Sequence, residues 1–230
     1  MGLVEYLNDE LTRAANPVDA AAMQRYMKTD QPFFGIKTPQ RKAIFKQAQK
    51  SFPITSRDEY EQTIRTLWAG SHREHMYLAL HVAEETKAFY DAQSWNLYED
   101  LVNTASHWDT LDWLATRIVG MILLDQRTFE PTVEVWAGAP GLWVRRASLL
   151  VHLKHQDRTN VPLLERTIRK LAHEKEFFIQ KAIGWVLRQY ARTDPQYVLK
   201  FVAEHATLLA PLSQREALKH LSRYPLTVHR

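Results

Sequence analysis

Residues 175–192 read KEFFIQKAIGWVLRQYAR, and this stretch decides the fold class. On a helical wheel its apolar side chains fall within about 60 degrees of one another, and they are Ile179, Ile183, Val186 and Tyr190. A stripe this narrow predicts an α-helix that turns one face toward a core.

The rest of the chain carries the same kind of pattern. Gly and Pro number only 7 and 10 among 230 residues, which disfavours turn-rich sandwiches and barrels. Serines that precede an acidic residue by three positions predict helix N-termini, namely Ser56 with Glu59, Ser71 with Glu74, Ser106 with Asp109 and Ser213 with Glu216. Prolines mark plausible helix starts at Pro17, Pro39, Pro140, Pro162 and Pro195. We find no alternating apolar run bounded by hairpin turns.

These signals predict an all-α chain with helices at 3–15, 18–29, 39–51, 57–69, 72–86, 92–104, 107–123, 127–137, 141–155, 160–172, 175–192, 195–206 and 213–223. Short helices paired at a spacing of roughly 35–45 residues are typical of HEAT or armadillo repeats. We therefore predict one helical-repeat solenoid domain over residues 1–230. An irregular helical bundle is the alternative, because sequence identity between the helix pairs is poor.

Composition excludes several classes of protein. The absence of cysteine removes disulfides, thiolate nucleophiles and cysteine-based zinc sites. No apolar run approaches the ~18 residues that a membrane helix needs, and the N-terminus shows no secretion signal. We expect a cytoplasmic protein with no membrane partner. The net charge of +4 is a mild excess, so the placement of the cations matters more than their number.

A row of cations lies opposite the apolar stripe of residues 175–192. Lys181, Trp185, Arg188 and Arg192 share one face of the predicted helix, about 200 degrees from the stripe. A solvated face with a chance tryptophan is one interpretation of this row. The other is a nucleic-acid surface, where cations neutralise phosphates and an aromatic ring packs on sugar or base.

A tryptophan and a carboxylate share a face near residue 110. Asp112 follows Trp108 by one helical turn, and Asp109 can cap the helix that begins there. Asp112 has no comparable capping role. It is either a surface carboxylate near the positive end of its own helix or part of a site.

Two adjacent arginines fall on different faces of the helix predicted at 141–155. Arg145 groups with polar residues, which predicts a solvated face, whereas Arg146 groups with the leucines of an apolar stripe. An arginine on such a stripe requires a carboxylate or a phosphate, since an unpaired buried charge is costly. A salt bridge to a neighbouring helix and an anchor for a ligand phosphate both meet that requirement.

Other motifs carry little. His72 and His75 lie one turn apart, but no third ligand follows and HExxH is absent, so we predict no metal site. No GxGxxG, Walker loop or GxSxG supports a nucleotide-binding or hydrolase fold.

Together these segments resemble the AlkD-like family of DNA alkylation-repair glycosylases. The matching blocks are Tyr26–Lys28, Pro32–Arg41, His107–Asp112, Trp143–Arg146 and Lys175–Tyr190. The resemblance implies a HEAT-like solenoid whose concave, positively charged face holds duplex DNA. It also implies excision of 3-methyladenine and 7-methylguanine without flipping the base into a pocket.

The resemblance also assigns roles to residues. It places the catalytic carboxylate at Asp112 and the two site tryptophans at Trp108 and Trp185. The family's site arginine falls on the pair Arg145 and Arg146, of which block spacing and the helical wheel favour Arg146.

Further expectations follow for partners and cofactors. Tyr26 matches a family aromatic that approaches DNA, and Lys181, Arg188 and Arg192 are the other candidate DNA-binding residues. We expect a monomer that acts on alkylated double-stranded DNA, needs no metal or other cofactor and lacks lyase activity. The alternative is a non-catalytic helical-repeat protein that binds DNA structures or a protein partner.

Overall fold

The computed structural model describes residues 2–221, and within that range every regular element is helical. The all-α, helical-repeat fold class is therefore confirmed. The chain forms two compact units, one ending at Leu97 and the other beginning at Tyr98. Two compact units are compatible with one helical-repeat domain or with two, so the single domain over 1–230 stays a prediction. Within the described residues, no helix is both long enough and apolar enough to cross a bilayer.

The N-terminal unit contains five α-helices and the start of a sixth. They are α1 (Leu3–Arg13), α2 (Pro17–Met27), α3 (Thr38–Ser51), α4 (Arg57–Trp68), α5 (Arg73–Glu85) and, after a 3-10 turn at Ala92–Ser94, the first turn of α6 (Trp95–Thr104). Helix α1 packs on α3, and α4 packs on α5. Leucines and aromatic rings on the facing sides form the core, including Leu7, Leu11, Phe45, Tyr60 and Leu78.

A buried carboxylate holds the loop between α2 and α3. Glu74 is fully buried and accepts backbone N–H groups from Phe34, Gly35 and Ile36 at 2.9–3.0 Å. Gly35 has a φ of +84°, and a Cβ there would lie 2.1 Å from the Asn16 carbonyl oxygen. Only glycine fits that conformation and that contact. The predicted capping role of Glu74 is therefore wrong.

The C-terminal unit continues the helical series. Its elements are the rest of α6, α7 (Trp108–Trp113), a π-helical segment at Leu114–Val119, α8 (Gly120–Asp125), α9 (Glu130–Trp136), α10 (Leu142–Leu150), α11 (Val161–Leu171), α12 (Phe177–Tyr190), α13 (Pro195–Glu204) and α14 (Pro211–Leu218). Short 3-10 turns occupy Arg127–Phe129, Val151–Lys154 and Gln156–Arg158. The last predicted helix, 213–223, extends beyond the described residues.

The helix predicted at 107–123 is interrupted by that π-helical segment. Where it ends, Gly120 passes so close to the next layer that a Cβ would lie 2.4 Å from the Val151 carbonyl oxygen. The Gly120 carbonyl accepts a hydrogen bond from His155 Nε2 at 2.7 Å. A side chain 35 residues away thus satisfies this carbonyl, which no local pattern could indicate.

The predicted caps have mixed outcomes. Ser56 caps α4 by accepting the Glu59 N–H at 3.2 Å, as predicted. His72 and His107, rather than Ser71 and Ser106, occupy the N-cap positions of α5 and α7. Ser213 lies inside α14, where it donates to the Gln180 carbonyl oxygen at 2.9 Å. Four of the five prolines lie in the first turn of a helix, and Pro140 precedes α10 by two positions.

Two histidines in the C-terminal unit are buried in neutral form. Burial lowers the pKa of His152 to about 3 and the pKa of His155 to about 4. Both ring nitrogens of His152 lack a hydrogen-bond partner among the described residues. Protonating either ring in the folded state would place a charge in the core.

We predict that the protein loses stability as the pH falls below about 6.5, the ordinary histidine value. Below that pH the two histidines bind protons in the unfolded chain but stay neutral in the folded chain. The free energy of unfolding therefore falls by about 1.4 kcal/mol per pH unit for each histidine. His152→Leu should reduce this acid dependence, measured by urea unfolding at pH 7.5 and pH 5. The same acid loss in the variant and the wild type would contradict the prediction.

Candidate active site

Asp112 and Arg146 form a bidentate ion pair. Arg146 Nε donates to Asp112 Oδ1 at 2.8 Å, and Arg146 Nη2 donates to Asp112 Oδ2 at 2.8 Å. The two side chains are only 6% and 16% exposed. The sequence left open whether Arg146 pairs with a carboxylate on a neighbouring helix or with a ligand phosphate. In the structure its partner is the carboxylate of Asp112. Parallel hydrogen bonds of this kind fix the plane of a carboxylate as well as its position.

Arg146 also reaches a third helix. Its Nη1 donates to the backbone carbonyl of Phe178 at 2.5 Å, and its guanidinium lies 5.7 Å from the centre of the Phe178 ring. Asp112 belongs to α7, Arg146 to α10 and Phe178 to the first turn of α12. One guanidinium therefore fixes the relative positions of three helices that are far apart in sequence.

Burial sets the electrostatics of Asp112. Loss of solvent raises the pKa of the Asp112 carboxyl above its ordinary value, and the nearby Asp109 carboxylate raises it further. Arg146 opposes this through its hydrogen bonds and its charge. The site thus holds a poorly hydrated carboxyl group with one fixed cationic partner, which favours its anionic form.

Arg145 has a different task from its neighbour. Its Nε and Nη2 bind both oxygens of Glu174 at 2.8 and 3.2 Å, and its Nη1 donates to the carbonyls of Ala139 and Pro140. The prediction that Arg145 lies on a solvated polar face is therefore wrong, since its side chain is only 18% exposed. Arg145 ties the loop before α10 to the loop before α12.

The two predicted site tryptophans lie on two of the three helices that Arg146 connects. Trp108 opens α7 one turn before Asp112, and Trp185 lies on α12 two turns after Phe178. Both rings are half-buried. Seven residues along a helix return to nearly the same face, so Trp185 and Phe178 lie on one side of α12.

Further aromatic rings adjoin the ion pair. The Trp143 ring centre lies 4.9 Å from that of Phe178 and 6.5 Å from that of His107. Phe177 is 56% exposed and meets Phe178 edge to face. Of these rings, Phe178 is the one that contacts the Arg146 guanidinium directly.

The basic row on α12 is less exposed than predicted. Lys181 Nζ lies 2.9 Å from Glu216 Oε1, and Arg188 Nη1 is ion-paired with Glu216 Oε2. The solvated-face interpretation of this row therefore does not hold for Lys181 and Arg188, because α14 packs against that face. Arg192 is exposed. Within residues 2–221 it forms no ion pair.

Tyr26 belongs to the N-terminal unit. It lies in the last turn of α2 and is 74% exposed. The other candidate site residues all belong to the C-terminal unit.

The histidine pair has a structural role. The His72 ring stacks on Phe34 at 3.9 Å, and His75 Nδ1 accepts the His72 backbone N–H at 3.2 Å. Among residues 2–221, no group of three or more His, Cys, Asp or Glu side chains could hold a metal ion.

Sequence reasoning missed three groups at this site. The Phe178 carbonyl, Glu174 and Glu216 each satisfy an arginine that the sequence singled out. A backbone carbonyl leaves no trace in the amino-acid pattern. Glu216 was visible, but its spacing from Ser213 suggested a capping box instead.

We predict that Arg146→Gln raises the pKa of Asp112 further, because the carboxylate stays buried while it loses its cation. The broken pair should also lower the free energy of unfolding by about 3 kcal/mol. A carboxyl NMR titration measures the pKa, and Arg145→Gln is the matched control because it breaks the neighbouring pair with Glu174. An Asp112 pKa that is unchanged or lower in Arg146→Gln would contradict the assignment.

Comparisons with known proteins identify the family of the chain. No curated protein matches the chain at a significant level. A solved structure described as a predicted DNA alkylation repair enzyme from Enterococcus faecalis is 34% identical with a TM-score of 0.83, over 91% of this chain and 97% of that one. The family model of the DNA alkylation repair enzyme matches residues 7–221. The chain therefore belongs to the DNA alkylation repair enzyme family.

Proposed function

We propose that the protein is a DNA glycosylase that hydrolyses the N-glycosidic bond of cationic alkylated purines in duplex DNA. Its substrates are 3-methyladenine and 7-methylguanine, which it excises as a monomer and without flipping the base into a pocket. The observation that carries the proposal is the half-buried Asp112 carboxylate held in one plane by Arg146.

The leaving group needs little help. Alkylation at N3 or N7 makes the purine cationic, so the bond electrons that pass to it on cleavage neutralise an existing charge. Positive charge then develops on the deoxyribose as an oxocarbenium-like state. A poorly solvated, fixed anion stabilises that state more strongly than water does.

Asp112 has the capacity for this role. A carboxylate offers about four lone-pair sites, and Arg146 uses one on each oxygen. The outer lone pairs remain for electrostatic contact with the sugar and for orienting a water molecule. The water oxygen bonds to C1′, and its proton passes to Asp112 or to solvent.

The aromatic and cationic residues position the DNA. Trp108 and Trp185 pack their rings on the deoxyribose, where electron-rich faces favour the developing cation. Arg146 keeps two of its five N–H groups beyond the three contacts described, and these can reach a flanking phosphate. Arg145 has a supporting role, because Glu174 and two carbonyls already occupy it.

The ion pair of Lys181, the lysine on α12, supports hydrolysis without strand cleavage. A lyase needs an uncharged amine to form a Schiff base. The Nζ of Lys181 lies 2.9 Å from Glu216 Oε1, so this amine is already engaged by a carboxylate. We therefore propose a monofunctional enzyme, acting in the cytoplasm, that requires neither a metal nor another cofactor.

The test measures release of free methylpurines by chromatography from DNA methylated at purine nitrogens. Asp112→Asn should slow release at least about 100-fold while binding to the duplex stays within about threefold. The amide keeps the size of the side chain but carries no charge. Gel analysis of the product should show an abasic strand that is not cleaved.

Asp109→Asn is the matched control, since it removes a carboxylate from the first turn of the same helix. It should retain most of the activity. Equal release by wild type and Asp112→Asn would move the catalytic role to another residue. Absence of release from every variant, with DNA binding intact, would favour a non-catalytic binding protein.

A further inference from the structure

A single carboxylate bridges the two cations that flank Trp185 along α12. Lys181 precedes Trp185 by four residues and Arg188 follows it by three, so all three lie along one side of the helix. Glu216 on α14 binds Lys181 through Oε1 and Arg188 through Oε2. One acidic residue thereby pairs with two of the three cations in the predicted DNA-binding row and offsets one of their two positive charges.

The position of Glu216 is set by backbone packing. At Gly184 the two helices approach so closely that a Cβ would lie 2.5 Å from Glu216 Cβ and 2.8 Å from the Ser213 carbonyl oxygen. The Ser213 hydroxyl donates to the Gln180 carbonyl oxygen at 2.9 Å and Ala217 is fully buried, which anchors both sides of the contact. Glu216 is therefore held between the two cations.

An open cleft of about 380 Å³ lies beside this bridge. Its walls include Trp185, Arg188, Arg192 and His220. Arg192 is exposed there and is free of ion pairs with residues 2–221. The cleft thus combines an aromatic face, one available guanidinium and one guanidinium already engaged by a carboxylate.

We propose that Lys181, Arg188 and Arg192 form a binding site for DNA backbone phosphates beside Trp185, and that Glu216 occupies this site as an internal competitor in the free protein. The proposal rests on the proposed function and adds a control on DNA affinity. Two carboxylate oxygens that bridge an ammonium and a guanidinium stand where phosphate oxygens would bind.

The competitor keeps its charge at every working pH. Hydrogen bonds from Lys181 and Arg188 lower the pKa of Glu216 to about 2. Phosphate and Glu216 therefore compete for the same two cations whenever DNA is present. This competition weakens non-specific binding and leaves Arg192 as the cation that is available from the start.

The main test measures affinity for an unmodified duplex across a range of salt concentrations. Glu216→Gln should bind about fivefold more tightly at low salt, and the slope of log K against log salt should steepen by about one. Glu134→Gln is the matched control, because it removes one negative charge from the same unit and so frees the cation Arg166. Arg166 lies on α11, outside this cleft. If Glu216 competes with DNA phosphates at this site, only Glu216→Gln should raise the affinity and steepen the salt slope by these amounts.

A second comparison tests whether Glu216 acts through Lys181. In the wild type, Lys181→Gln should weaken binding less than twofold, because Glu216 already engages Lys181. Arg192→Gln should weaken binding about fivefold, because Arg192 has no such carboxylate among the described residues. In the Glu216→Gln background, Lys181→Gln should weaken binding about fivefold as well. If thermal unfolding shows that Glu216→Gln folds poorly, the comparison of Lys181→Gln with Arg192→Gln in the wild type still tests the inference, and equal losses of affinity would overturn it.

The outcomes separate this inference from the proposed function. Identical affinity and salt slope for Glu216→Gln and Glu134→Gln would overturn the competitor role, even if the wild type releases methylpurines normally. Weaker binding by Glu216→Gln would also overturn it and leave Glu216 as a brace between α12 and α14. Failure of every variant to bind duplex DNA in a salt-dependent way would overturn the inference and the proposed function together.

Discussion

A carboxylate removed from water must be held by fixed donors, or it takes up a proton. Asp112 meets this constraint with one partner, Arg146, whose two parallel hydrogen bonds offset the burial that raises the pKa of Asp112. Arg146 is itself buried among apolar residues and needs that anion in return. Each charged group thus offsets the desolvation cost of burying the other. The hydrogen bond from Arg146 to the Phe178 carbonyl also fixes the position of α12 beside the pair.

The surrounding polar contacts protect this arrangement. Arg145 could compete for Asp112 from the adjacent position, but Glu174 and two backbone carbonyls engage it on another face of α10. The Phe178 ring lies against the Arg146 guanidinium, and the Trp143 ring packs on Phe178. In the same unit, Glu216 engages the cations that flank Trp185. The cations that flank the candidate site residues on α10 and α12 are thus paired with carboxylates, and Lys181 and Arg188 share one. Arg192 is the exception among the described contacts.

Local pattern was enough to predict much of this architecture. Apolar periodicity placed the helices within a few residues, and the wheel of residues 141–155 showed that Arg146 required a partner inside the core. Periodicity does not say which element packs against a given face. For that reason the cover that α14 provides for Lys181 and Arg188 was missed, as was the pairing of Arg145 with Glu174. The π-helical segment after Asp112 was missed for the same reason, since it ends at a close approach between Gly120 and Val151.

The central claim is that Asp112 stabilises positive charge on the sugar, and affinity for a charged analogue tests it most directly. Two duplexes would be compared, one with a cationic pyrrolidine in place of the lesion deoxyribose and one with a neutral tetrahydrofuran. The account predicts that the wild type binds the cationic duplex at least about tenfold more tightly, and that Asp112→Asn loses this preference. Equal binding of both duplexes by the wild type, or an unchanged preference in Asp112→Asn, would contradict it.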